Sequence, residues 1–254
     1  MRSALTIAGS DPTGGAGFQA DLKVFRAFGV HGLAVLAALT AQNTTGVEGI
    51  LPVERDFFLR EMEVLLTDVR PDALKTGMLY SPGAVEVVAE MIRTYSLSHL
   101  VVDPVTVSST GVSLVDEGTL DNIRDMLFPL SDVITPNIYE ASVFSGLNID
   151  DEEGMKESAV RLKEMGPKVV IITGGHLERL TLDLYFDGSG FYELEASKIQ
   201  GEYHGTGCAF SAAITANLAL GHPSLEAAKR AKDFVTEAIR KAYHLGKGLR
   251  LLHL

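Results

Sequence analysis

The sequence predicts an α/β protein of three layers, with helices on both faces of a central, mostly parallel β-sheet. Three observations carry that prediction. Short apolar runs alternate with helical patterns along the whole chain, the order that right-handed βαβ units produce. Many of the runs are Val, Ile and Leu without polar alternation, as expected for strands buried on both faces. Polar and Gly-rich motifs follow the predicted strands, where open α/β sheets bind their ligands. With 254 residues, 46% of them hydrophobic, the chain can bury one large core. No linker, low-complexity tract or repeat divides it, so residues 1–254 are expected to form a single domain.

The elements follow in order. An apolar strand over Ala4–Ala8 leads through a Gly-rich loop to a helix over Gly17–Phe28. A strand over Leu33–Leu39 is followed by a helix over Asp56–Leu66. A strand over Ala73–Thr76 precedes a helix over Pro82–Thr94, which Ser81 caps with Pro82 in the first turn. Strands over Leu100–Val105 and Val133–Thr135 flank a helix over Asp116–Leu127. A helix over Glu152–Met165 leads to a strand over Val169–Thr173. Strands over Leu182–Phe186 and Phe191–Leu194, joined by Asp187-Gly188-Ser189-Gly190, read as a late antiparallel hairpin. Two helices close the chain, over Ala209–Leu220 with Gly221 as C-cap and over Leu225–Leu245 with Ser224 as N-cap.

Composition removes several function classes. Net charge is −11, from 33 acidic and 22 basic residues, and affinity for a nucleic-acid backbone comes from Lys and Arg. A single cysteine excludes an intrachain disulfide and any Cys-based zinc site, and fits a reducing compartment. The stretch Met1–Gly9 lacks the length of a signal peptide. The apolar run Val30–Ala41 is too short for a bilayer, which needs about 20 residues. The expectation is a cytoplasmic protein without nucleic-acid or membrane partners.

The most informative stretch is His204-Gly205-Thr206-Gly207-Cys208, which runs into an Ala-rich helical sequence. Gly205 and Gly207 precede a helix N-terminus, whose free N–H groups and partial positive charge suit a phosphate. Cys208 falls in the first turn, a position that lowers thiol pKa and favours a reactive thiol. Read alone, the stretch is equally a tight turn with a small buried cysteine. The loop Gly9–Gly17 lacks the Gly-Lys-Ser/Thr ending of an NTPase P-loop and the Gly-x-Gly-x-x-Gly spacing of a dinucleotide fold, which disfavours both. Gly there lets backbone approach a small ligand. Asp21 is either a solvated helix residue or an acceptor for a polar substrate group. Asp103 and Glu140 follow different strands; with phosphate nearby they suit Mg²⁺, which takes one or two protein oxygens, and otherwise are a turn Asp and a helix-terminal charge. Thr173-Gly174-Gly175-His176 offers a hydroxyl and N–H groups to a nucleotide phosphate, or is a plain strand exit.

Taken together these motifs resemble a known family. Ala4–Pro12, Gly14–Gly17, Gln19–Lys23, Ala41–Thr44, Lys75–Leu79, Asp103–Val105, Thr135–Asn137 with Glu140-Ala141, Gly174–His176 and His204–Cys208 stand in the order and spacing of the hydroxymethylpyrimidine/phosphomethylpyrimidine kinases of thiamine biosynthesis, within the ribokinase-like superfamily. The resemblance covers nearly the whole chain. It implies a ribokinase-like fold, a homodimer, and ATP and Mg²⁺ as co-substrate and cofactor. The implied reaction phosphorylates 4-amino-5-hydroxymethyl-2-methylpyrimidine and then its monophosphate. It places pyrimidine binding on Gly9, Asp21, Gln42, Met78 and Val105, and ATP binding on Asn137, Thr173, Gly174 and Gly175. Metal binding falls on Asp103 and Glu140, and the anion hole over the transferring phosphoryl on Gly205, Thr206, Gly207 and Cys208. Gln offers both donor and acceptor to an aminopyrimidine edge, and Met packs adaptably on an aromatic ring. Sugar kinases of the superfamily carry an Asp base where this chain has Cys208, which makes Cys208 the candidate base or phosphate-side partner.

Three departures from the family pattern stand out. No Lys follows Asp103-Pro104-Val105-Thr106-Val107, Thr173 stands where many members have Lys, and the ending reads Gly248-Leu249-Arg250-Leu251-Leu252-His253. The two missing cations imply either weaker ATP binding or a shift of charge neutralisation onto Mg²⁺. Competing readings are a pyridoxal kinase of the same branch, disfavoured by Gln42-Asn43, a pyrimidine-binding regulatory protein with weak catalysis, and, remotely, a Rossmann-type oxidoreductase.

Overall fold

A computed structural model describes residues 1–108, 111–174, 181–196 and 199–254. In chain order these form β1 (Ser3–Gly9), α1 (Gly17–Ala27), β2 (His31–Asn43), β3 (Gly46–Pro52), α2 (Arg55–Asp68), β4 (Ala73–Thr76), α3 (Pro82–Thr94), β5 (Leu100–Val102) and α4 (Thr119–Asn122). Then come β6 (Val133–Ile134), α5 (Ile138–Ser145), α6 (Glu152–Glu164), β7 (Val169–Gly174), β8 (Thr181–Phe186), β9 (Phe191–Ala196), β10 (Tyr203–His204), α7 (Thr206–Ala219), α8 (Ser224–Arg240) and β11 (Arg250–Leu251).

One sheet runs in the order β3-β2-β1-β4-β5-β6-β7-β8-β9. The six strands from β2 to β7 pair in parallel, while β3, β8 and β9 are antiparallel at the two edges. The parallel strands are buried on both faces, which is why Ala-Leu-Lys-Thr of β4 and Leu-Val-Val of β5 carry no alternation. One face packs Leu5, Ile7, Phe58, Met62 and Val88 against α2, α3, α5 and α6. The other packs Ala4, Val24 and Phe25 against α1, α7 and α8. Ala212, Ala213 and Ala216 of α7 are fully buried; their small side chains let α1 and α8 approach α7 closely. Three layers and a mostly parallel sheet are therefore as predicted. Among the described residues, no helix is long and apolar enough to cross a membrane.

Several boundaries differ, each for a local reason. β2 runs to Asn43 and turns directly into β3, an antiparallel edge strand that the sequence reading missed. Its Gly46-Val47-Glu48-Gly49 opening hides the alternation. α5 was also missed. Its eight residues give little periodicity, although Asn137 and Glu140 form a reciprocal capping box. The helix expected over Asp116–Leu127 begins only at Thr119, after Gly118 at φ +78°, and passes into a π-helical turn over Ile123–Leu127. β5 and β6 end at Val102 and Ile134, short of the expected Val105 and Thr135. The last long helix stops at Arg240 rather than Leu245, and its N-cap is Pro223, not Ser224. Ser81 does cap α3, accepting from the Ala84 N–H at 3.3 Å.

Candidate active site

α7 begins at Thr206, three residues before the expected start, so Gly205 is its N-cap. The turn has one backbone solution. Gly205 holds φ +84°, and a Cβ there would sit 1.8 Å from the Gly15 carbonyl oxygen. Only Gly tolerates both the left-handed conformation and that approach. The first N–H groups of α7, from Thr206, Gly207 and Cys208, have no partner within the helix. They carry the helix's partial positive charge at the C-terminal edge of the sheet.

The thiol of Cys208 departs from expectation. Burial pushes it up to about 12, and the neighbouring carboxylates of Asp103 and Asp21 outweigh part of the opposing pull of Lys75. The helix terminus alone suggested a lowered value, but desolvation beside two carboxylates favours the neutral thiol. The side chain remains partly accessible.

Beneath the turn lies a charged residue to which no role was assigned. Lys75, in the middle of β4, is fully buried. Its Nζ donates to Asp21 Oδ1 at 2.8 Å and to Ser211 Oγ at 2.9 Å, and stands 4.0 Å from Asp103 Oδ2. Burial pulls its ammonium down, but Asp21, Cys208 and Asp103 hold it above the ordinary lysine range. Asp21 is likewise fully buried, and its other oxygen accepts from Thr6 Oγ1 at 2.5 Å. This corrects the expectation that Asp21 is a solvated helix residue. In this geometry it is the counter-ion of Lys75. The sequence signal was a lone Lys inside a four-residue buried strand, where a charge needs a partner.

Asp103 and Glu140 come together. Asp103 Oδ2 accepts from Ser211 Oγ at 2.8 Å. Glu140 accepts from the Thr106 N–H at 3.2 Å and the Asn137 N–H at 3.0 Å. Burial, then the field of Asp103, pushes Glu140 up to about 8. Two adjacent buried carboxylates that lack sufficient positive charge form a donor set that fits a divalent cation. Among the described residues no cluster of three or more His, Cys, Asp or Glu is placed to hold a metal. The protein's share would thus be the one or two oxygens that Mg²⁺ commonly takes.

The candidate pyrimidine residues split. A Cβ on Gly9 would sit 2.5 Å from Met78 Cε, so the end of β1 and the loop after β4 touch. Met78 packs with Ala38, Leu114, Val47, Ile50, Tyr80 and Val105 in a small apolar cluster separate from the two main cores. Gln42, near the end of β2, lies beside this cluster's strand. Its carboxamide meets His204 Nε2 at 3.2 Å, and that same nitrogen lies 2.8 Å from Asp11 Oδ2. Asp11 also accepts from Thr13, Gly15 and Ala16 N–H groups, so it organises the whole loop after β1. Neither Asp11 nor His204 was assigned a role from sequence.

On the opposite side, Asn137 caps α5 through its Oδ1, and Thr173 pairs with it across β6 and β7. The Gly174 N–H donates to Asp183 Oδ1 at 3.1 Å, so its bond is already made within the protein. Asp183 in turn pairs with Lys232 at 2.7 Å. Gly175 and His176 lie outside the described residues, as do Ser109 and Thr110.

The family model described as phosphomethylpyrimidine kinase matches residues 11–253. A thiamine biosynthesis bifunctional protein of Geobacter sulfurreducens is 45% identical over 97% of this chain, which spans 51% of that relative. A hydroxymethylpyrimidine/phosphomethylpyrimidine kinase of Bacillus subtilis is 41% identical, covering 96% of this chain and 92% of that one. Among solved structures, the phosphomethylpyrimidine kinase of Clostridium difficile is 38% identical with a TM-score of 0.84, covering 94% of this chain and 100% of that one. The pyridoxal kinase of Staphylococcus aureus in complex with AMP-PCP is 35% identical with a TM-score of 0.92, covering 99% and 93%.

Proposed function

This chain belongs to the phosphomethylpyrimidine kinase family, and from that premise we propose that it transfers the γ-phosphoryl group of ATP to 4-amino-5-hydroxymethyl-2-methylpyrimidine and then to its monophosphate. The observation that carries the reading is the facing of three parts at one sheet edge. They are the N-terminal turn of α7, the Asp103–Glu140 pair, and the apolar cluster around Met78. Each part meets one chemical need of the reaction.

The aminopyrimidine ring lies against Met78 and Val105 beside Gly9, with Gln42 on its polar edge. The hydroxymethyl oxygen forms a bond to the γ-phosphorus while the bond from that phosphorus to the β–γ bridging oxygen breaks and ADP leaves. The N–H groups from Thr206 to Cys208 receive the charge on the transferring group; losing one such donor typically costs on the order of 10² to 10³ in rate. The Cys208 thiol, neutral at physiological pH, donates to a phosphoryl oxygen rather than acting as base. The hydroxyl proton passes to the transferred phosphoryl group. Asp103 and Glu140 would hold Mg²⁺, which would supply the positive charge toward the phosphates that the missing family lysines do not. Phosphoryl transfer depends mostly on such positioning and neutralisation. Asn137 and Thr173 line the nucleotide side, and the enzyme acts as a homodimer in the cytoplasm.

The higher TM-score of the pyridoxal kinase gives a second reading, in which pyridoxal is the acceptor. Turnover of Mg²⁺-ATP with the hydroxymethylpyrimidine, its monophosphate and pyridoxal separates them. Turnover with both pyrimidines and little with pyridoxal is expected. Preference for pyridoxal would reverse the assignment, and pyrimidine binding without any turnover would make this a binding protein on a kinase fold.

A further inference from the structure

Gln42 does not orient itself. The amide is held between two side chains, and the protons available fix which way it points. Asp11 is buried, yet His204, Thr13 and its neighbours hold its carboxyl down at about 2, against the upward push of burial. An ionised carboxylate only accepts hydrogen bonds. Five groups already aim donors at Asp11: the N–H of Thr13, Gly15 and Ala16, the hydroxyl of Thr13, and His204 Nε2. His204 Nε2 therefore carries a hydrogen and donates it. Gln42 as placed sets its Nε2 3.2 Å from this same nitrogen, a donor facing a donor, so the amide belongs turned over with Oε1 toward His204.

The other end of the amide checks the deduction independently. Thr40 Oγ1 lies 3.3 Å from it. That hydroxyl donates its own proton to the Ser10 carbonyl at 2.8 Å, so toward Gln42 it can only accept. The amide NH₂ belongs on that side. In this orientation the single His204 Nε2–H is shared between Asp11 Oδ2 at 2.8 Å and the Gln42 oxygen at 3.2 Å, whereas the reverse sets N–H against N–H and oxygen against a hydroxyl with no proton to give. Amide orientation is properly assigned from such a network.

We propose that His204, locked by Asp11, is the specificity-determining positioning residue of the acceptor site. It fixes the Gln42 carboxamide so that one N–H and one oxygen lone pair face an aminopyrimidine edge in set directions. The inference rests on the pyrimidine-kinase reading above. It adds that discrimination between a pyrimidine and a pyridine acceptor is set from behind Gln42, by a residue that need not touch the ring. Packing supports a fixed His204. The ring is buried, and a Cβ on Gly15 would come within 2.8 Å of His204 Cδ2.

The test is calorimetric titration of the hydroxymethylpyrimidine and of pyridoxal into wild type, His204→Leu, His204→Gln and Gln42→Leu, with the double variant Gln42→Leu/His204→Leu. Gln places an amide N–H near the position of His Nε2 and should rescue. His204→Leu should weaken pyrimidine Kd by 10-fold or more and pyridoxal Kd by less than 3-fold. His204→Gln should stay within about 3-fold of wild type for both ligands. In the Gln42→Leu background His204→Leu should add no further loss. Equal weakening of both ligands, failure of the Gln variant to rescue, or additive losses in the double variant would each overturn the proposal. Thermal melts of each variant separate folding from binding; an unfolded His204→Leu shifts the decision to His204→Gln alone, which must then retain the wild-type ratio of the two Kd values. Absence of wild-type turnover with good pyrimidine binding would refute the kinase reading, while these binding ratios still decide the role of His204.

Discussion

Asp21 and Glu140 are both carboxylates buried at the same site, and they have opposite company. Asp21 has a lysine at 2.8 Å and a threonine hydroxyl at 2.5 Å. Glu140 has backbone N–H donors, the Thr106 hydroxyl at 3.4 Å and another carboxylate for a neighbour. Burial raises both. The difference lies in what could lower them again. The Lys75–Asp21 half of the site is charge-complete and holds α7 against β4. The Asp103–Glu140 half has that same lysine at 4.0 Å from Asp103 Oδ2, so Lys75 is shared among three buried carboxylates and negative charge is left in excess. Two acidic residues of similar burial can thus belong to the scaffold and to the chemistry, and the test is whether the protein supplies the counter-charge.

The largest break in the comparison comes from removing that counter-charge. Lys75→Met should destabilise the protein by about 3–5 kcal/mol, the usual cost of orphaning one member of a buried pair. Urea unfolding measures it. The double variant Asp21→Asn/Lys75→Met should recover part of the loss, and no recovery would mean that Asp21 was never the relevant partner.

Glu140→Gln should lower turnover by on the order of 10²-fold, the scale of losing one stabilising charge contact at a transferring group. Its effect on stability carries the opposite sign and depends on pH. The folded-state value of about 8 lies above the ordinary 4.5. The unfolded chain releases this proton first as pH rises, so wild type loses stability between about pH 4.5 and 8. Gln has no proton to release. The melting temperature of Glu140→Gln relative to wild type should therefore climb from pH 5.5 to 8.5, and a flat difference would show that Glu140 is not raised.

Smaller in size is the response to metal. Mg²⁺ with a non-hydrolysable ATP analogue should raise the wild-type melting temperature, with a larger rise at pH 8 than at pH 6, because ionised Glu140 binds better. Saturating a site to 100 times its Kd is worth about 2.7 kcal/mol. Glu140→Gln should lose the pH dependence of that rise; retention would move the metal elsewhere.

Smallest is a rate with no effect on stability. With its thiol at about 12 rather than 9.0, Cys208 should hold roughly a thousandth of the thiolate of an ordinary cysteine at neutral pH. Alkylation by iodoacetamide should be correspondingly slow. Labelling at the rate of a free thiol would restore the helix-terminus expectation and the role of Cys208 as base.

Legibility in the sequence followed the same division. The parallel core was readable because β5 and β7 carry continuous apolar runs between helices, and Ala73–Thr76 and Pro82–Thr94 fall where the pattern put them. β3 was not readable, since an edge strand exposed on one side keeps Leu51 and Glu48 alike in solvent. α5 was hidden by its brevity, though Asn137 followed three residues later by Glu140 was a capping signal. In the site, residues proposed to meet a ligand through backbone or apolar surface, such as Gly9, Met78 and Gly205, were marked by motif. Residues that act on other side chains were not. Lys75, Asp11 and His204 gain their roles only from partners 54, 193 and 162 positions away, separations that no local pattern encodes.

One such long-range contact bears on how the protein is made. β11 pairs in parallel with β10, setting Tyr203 beside Arg250 and His204 beside Leu251, immediately before the turn at Gly205. Leu251 also packs where a Cβ on Gly15 would stand. In chain order β11 comes after every strand of the main sheet and every helix of both layers. The turn at Gly205 cannot be braced from this side until residue 251 has been made. A chain in which the sheet and both layers are formed but β11 is not yet paired would thus be folded around an unbraced turn.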